Sequence, residues 1–146
     1  MTALAVTVLG DPIGQGRITT YGRGQTVHSN AKVLEPWRQK IARQVREEMR
    51  AQGIDMIPKD QPVELNAIFT VARPVSVPVK ARWAPVVRPD LDHYVRALGD
   101  SLSGVLLEDD SQIVSIRTSK VYPYDGNVPG VTFTITPAER GESIAA

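Results

Sequence analysis

The chain has 146 residues, 42% hydrophobic and 23% charged, with a formal net charge of +1. That length fits one domain with a sizeable core, and the near-neutral total argues against a protein that simply coats DNA. There is no cysteine, which excludes disulfides, thiolate zinc sites and cysteine nucleophiles and fits a reducing cytoplasm.

Residues 3–9 (Ala-Leu-Ala-Val-Thr-Val-Leu) are apolar and β-branched and predict a strand, stopped by Gly10-Asp11-Pro12. The N-terminal stretch lacks a basic n-region and is too short to span a bilayer, and no other apolar run is long enough, so no membrane segment is expected. In residues 13–29, Ile18–Tyr21 and Gln25–His28 flank Gly22-Arg23-Gly24, the pattern of a small hairpin or a mobile loop. Residues 34–52 predict a long helix, with Ser29 or Asn30 ahead of it, Pro36 in its first turn and Gly53 after it. Its apolar stripe is Trp37, Ile41, Val45 and Met49.

Residues 61–71 alternate, with Val63, Leu65, Ala67 and Phe69 on one face, and predict a half-buried strand. Residues 74–89 carry Pro74, Pro78, Pro85 and Pro89 without a clear period and predict a loop. Residues 90–103 predict a second helix, with Asp90 at its N-cap, a core stripe of Leu91, Val95, Leu98 and Leu102, and Gly104 beyond its end. Strands are expected at 113–122 and 131–136, with turns between. The order predicts an α+β fold: a mixed β-sheet with two helices packed on it, one domain over 1–137 and a frayed tail over 138–146.

Charge is unevenly placed. Residues 12–34 hold Arg17, Arg23 and Lys32 without an acid, and residues 71–89 hold Arg73, Lys80, Arg82 and Arg88 without one. The acids gather just beyond, at Asp90, Asp92, Asp100, Glu108, Asp109 and Asp110. Clustered carboxylates repel unless a cation holds them, and hard oxygen donors of this kind suit Mg²⁺ or Mn²⁺. On a helix, Asp92, Arg96 and Asp100 share a face, and a fold-back after Gly104 can bring Asp109 or Asp110 toward the helix start. A metal site beside a basic, acid-free segment points to phosphodiester chemistry on a nucleic acid. The same spacing also fits a structural arrangement: an N-cap at Asp90, a ladder of ion pairs from Asp92 through Arg96 to Asp100, and a plain turn at Asp109-Asp110. His93 adjoins Asp92, and the ordinary reading of it is a helix-surface residue. Trp83, in the basic loop, suits either stacking on an unpaired base or packing against the domain. Gly10–Gly16 lacks the Lys-Ser/Thr of a phosphate-binding loop.

Arg88-Pro-Asp-Leu-Asp-His, Arg96, Asp100 and then Gly104-Val-Leu-Leu-Glu-Asp-Asp-Ser-Gln-Ile-Val resemble the RusA family of Holliday junction resolvases, common in phages and prophages. The order of elements and the early Gly10-Asp11-Pro12 extend the resemblance over most of the chain. It implies a Mg²⁺-dependent endonuclease, with Mn²⁺ as a substitute, that acts as a homodimer on four-way DNA junctions and cuts opposed strands symmetrically. Carried over position by position, Asp90, Asp92 and Asp110 match the metal-binding carboxylates, and Asp100 matches an additional acidic position. Arg96 stands where the family usually has a catalytic lysine, and His93 replaces an asparagine. Arg17, Arg23, Lys80, Arg82 and Arg88 are then the candidate DNA-phosphate contacts. Two other functions compete: a non-catalytic binder of branched DNA, motivated by His93 and Arg96, and a flap or single-strand nuclease of phage replication, motivated by Trp83.

Overall fold

The computed structural model describes residues 3–16, 18–21, 25–28, 31–75, 84–124 and 128–140. Alternating burial builds its main sheet. In β1 (Leu4–Leu9), Leu4, Val6 and Val8 are buried and their neighbours exposed. In β4 (Val63–Thr70) the buried set is Val63, Leu65, Ala67 and Phe69, as its two-residue period requires. In β6 (Gly130–Pro137) it includes Val131, Phe133 and Ile135.

The sheet runs β1-β6-β4-β5, with β5 spanning Ile113–Val121. The β1–β6 and β6–β4 pairs are antiparallel and β4–β5 is parallel, so the sheet is mixed. Register aligns Leu4 with Ile135 and Leu65, and Val6 with Phe133 and Ala67, which puts every buried side chain on one face. The other face is threonine-rich, with Thr7 and Thr132 hydroxyls 3.2 Å apart across β1 and β6. Separately, β2 (Ile18–Tyr21) and β3 (Gln25–His28) pair antiparallel, so the hairpin alternative holds for these strands.

Helix α1 (Ala31–Gln52) buries Leu34, Trp37, Ile41 and Val45, with Met49 packed at the edge. It starts earlier than its stripe suggests, so Pro36 lies inside the helix, not in its first turn. The missing N–H of Pro36 removes one helical bond. Residues 29 and 30, the expected caps, lie outside the described residues.

Helix α2 (Leu91–Leu102) departs from the expected stripe. Its buried face is Tyr94, Ala97, Leu98, Ser101 and Leu102, while Leu91 and Val95 are only half-buried. Tyr94 takes the core position because its ring stacks on Phe69 at 5.2 Å. Burial, and then the charge of Asp11, push the Tyr94 phenol pKa up. The helix ends on Gly104 at φ +80°, a left-handed residue suited to glycine. The fold is thus α+β, with both helices joined to the sheet in one core. No helix among the described residues is long and apolar enough to cross a membrane.

Candidate active site

Residues 84–89, the described end of the proline-rich segment, lead into Asp90 at the start of α2. Lys120 of β5 holds that segment, donating from Nζ to the carbonyls of Val87 (2.8 Å) and Pro89 (3.0 Å). Register puts Lys120 opposite Phe69, on the helix side of the sheet. A lysine on the inward phase of a strand was the available signal that it has a buried-side partner.

Asp90 occupies the N-cap position with extended backbone, but its side chain makes no capping hydrogen bond. The expected engagement of its carboxylate with the free helix N–H groups is therefore not observed. Donor atoms of Asp90, Asp92 and His93 lie within 4.8 Å of one another. Opposite ligands of an octahedral ion at about 2.1 Å stand about 4.2 Å apart, so small side-chain rotations fit these donors to one divalent cation. The loop after β1 supports this corner. Gln15 N–H donates to the His93 carbonyl at 3.0 Å, and a Cβ on Gly14 would meet the Cβ atoms of Pro89 at 2.9 Å and His93 at 3.1 Å. That close approach is open only to glycine.

Asp109 and Asp110 take different parts. Asp109 caps a short 3-10 turn (Asp110–Gln112), accepting from the Ser111 N–H at 2.8 Å while Gln112 Oε1 accepts from the Asp109 N–H at 3.1 Å. Those bonds from Ser111 hold the Asp109 carboxyl below the ordinary carboxylate range. Asp110 is anchored to α2 by its N–H, which donates to Ser103 Oγ at 3.0 Å. Its carboxylate lies against Gly99, where an added Cβ would sit 3.4 Å from Oδ2. Partial burial there, and then the charges of Asp100 and Asp109, raise the Asp110 pKa.

Asp110 is outside the Asp90–Asp92–His93 group. Gly99 is seven residues beyond Asp92, about 10 Å along the helix axis. Both carboxylates nevertheless line one open cleft of about 600 Å³ between α2 and β5, with Arg96 and an apolar floor that includes Val95 and Ile116.

Asp100 is held from another direction. Arg38 of α1 donates to it at 2.8 Å and to Glu35 at 2.8 Å. Among the described residues Arg96 forms no ion pair with Asp92 or Asp100, so the ladder alternative is not formed. No sequence spacing announces Arg38, because its partner comes from a different helix. Arg88 is exposed beside Asp90, whereas Arg17, Arg23, Lys80, Arg82 and Trp83 lie outside the described residues.

The chain is similar to known proteins along most of its length. The uncharacterized protein YqaN of Bacillus subtilis (strain 168) is 26% identical over 133 residues, covering 88% of this chain and 94% of that protein. The profile of the family described as endodeoxyribonuclease RusA matches residues 10–136, a span that begins just after β1 and takes in both helices, the acidic cleft and nearly all of β6. With its carboxylates and Arg96 facing one cleft inside that span, the chain belongs to the RusA endodeoxyribonuclease family.

Proposed function

We propose that this chain resolves four-way (Holliday) DNA junctions in recombination and repair, as a homodimer making paired symmetric cuts with Mg²⁺ or Mn²⁺. Family membership supports phosphodiester hydrolysis in DNA. The observation that supports the reading is the one cleft that Asp92, Arg96 and Asp110 line from two elements, with Asp90 and His93 beside Asp92.

A divalent cation bound here would supply Lewis acidity toward the phosphate and toward water. Asp90 and Asp92 would hold it at the head of α2, and Asp110 would contribute its carboxylate from farther along the cleft. The Arg96 guanidinium steadies the charge that builds on the phosphate. Arg17, Arg23, Lys80, Arg82 and Arg88 hold flanking phosphates. Two copies related by a two-fold axis match the approximate two-fold symmetry of the junction.

The test is cleavage of a synthetic four-way junction with Mg²⁺ and with chelator, beside Asp90→Asn and Asp110→Asn. We expect paired nicks that need the metal, and a loss of about a hundredfold or more in either variant. Variants that cut as fast as the parent would remove the catalytic assignment. A tight, uncut complex in both Mg²⁺ and Mn²⁺ would favour the non-catalytic binder. Faster cutting of flaps or single strands would favour the replication nuclease.

A further inference from the structure

The corner at the head of α2 holds a nitrogen donor as well as two carboxylates. His93 is half-buried, and one of its ring nitrogens lies within 4.8 Å of a carboxylate oxygen of Asp90 and one of Asp92. The Asp90 carboxylate is not engaged as a helix cap and remains available to a cation. The His93 backbone is fixed from both sides. Its N–H donates to the Asp90 carbonyl at 3.1 Å, and its carbonyl accepts from Gln15 at 3.0 Å. Gly14 packs against its Cβ. A ring whose backbone is already ordered loses less freedom on coordinating an ion.

We propose that His93 is a metal ligand, and that this nitrogen makes the site select a first-row transition dication over Mg²⁺. The inference rests on the metal-dependent reading above and deepens it. An asparagine at this position, as the resemblance would have it, offers a hard amide oxygen that serves Mg²⁺ well. Imidazole is a softer donor. Mg²⁺ keeps oxygen ligands and gives up its water reluctantly, whereas transition dications accept imidazole readily. The set of two carboxylates and one imidazole therefore favours Mn²⁺, and Co²⁺ more strongly, where an all-oxygen set would discriminate less.

The experiment titrates the full chain with Mn²⁺, follows free ion by electron paramagnetic resonance, and repeats the titration against competing Mg²⁺. Pulsed measurements on the bound Mn²⁺ then look for coupling to an imidazole ¹⁴N. The parent is expected to show that coupling. His93→Asn is expected to lose it and to lower the Mn²⁺-to-Mg²⁺ affinity ratio by about tenfold or more. Absence of nitrogen coupling in the parent overturns the inference without any variant having to fold. Coupling that survives in His93→Asn, or an unchanged ratio, overturns it as well. Junction cleavage is read on the same samples. Nitrogen coupling without cleavage by any ion sinks the nuclease reading alone, and cleavage without nitrogen coupling sinks this inference alone.

Discussion

Asp109 and Asp110 are chain neighbours, yet their carboxyl groups are shifted in opposite directions. Asp109 spends its oxygens on the Ser111 N–H, while Asp110 sits against Gly99 with Asp100 nearby. The folded state therefore binds the Asp110 proton more tightly than the unfolded chain does. Ionising that carboxyl costs stability above its raised pKa, and the cost is gone below the ordinary carboxylate range, where both states are protonated. In chelator, Asp110→Asn should melt higher than the parent at neutral pH, with the difference vanishing on acidification. Asp109→Ala should do the reverse. Its lost stability is present above the ordinary carboxylate range and fades as pH falls through the lowered folded pKa. Thermal melts between acid and neutral pH check both. An Asp110 that gives stability at neutral pH would mean its carboxylate is paired, not crowded.

Between elements, short polar staples position the cleft. Gln112, buried on the 3-10 turn, donates from Nε2 to the carbonyls of Pro58 (2.8 Å) and Gln61 (3.1 Å). Gln112→Ala leaves those acceptors without that donor and should lower the free energy of unfolding by about 1–3 kcal/mol in urea titration. Lys120 ties β5 to the segment before Asp90. Lys120→Met should weaken Mn²⁺ binding about tenfold, as loss of support behind a ligand does. Its circular dichroism should remain that of the parent. Unchanged Mn²⁺ affinity would show that the segment holds Asp90 without Lys120. Periodicity made the strands and the stripe of α1 legible, because Val63, Leu65, Ala67 and Phe69 or Trp37, Ile41 and Val45 repeat at the spacing of their element. On α2 it held for Leu98 and Leu102, whereas Leu91 and Val95 pack only at the core's edge and line the cleft, and Tyr94 joins the core. The acidic residues were legible as a group. Their division into cap (Asp109), helix-head pair (Asp90 and Asp92), cleft wall (Asp110) and partner of Arg38 (Asp100) was not, because it depends on Ser103, Gly99 and Arg38 meeting Asp110 and Asp100 through space.

For the whole molecule, the proposed dimer predicts a sedimentation mass near twice the 16.0 kDa of one chain at micromolar concentration. A single-chain mass would leave the paired cuts without a symmetric partner. The sheet also imposes a sequence of events on synthesis. β1 hydrogen-bonds only to β6 within it, and Thr7 meets Thr132 across 125 positions of chain. Contacts so distant along the polypeptide form slowly and late in folding. On the ribosome, β1 and the α1 face that covers it must wait for the last strand to emerge. A nascent fragment that carries Asp90, Asp92 and Asp110 but stops short of β6 is thus an unfinished sheet.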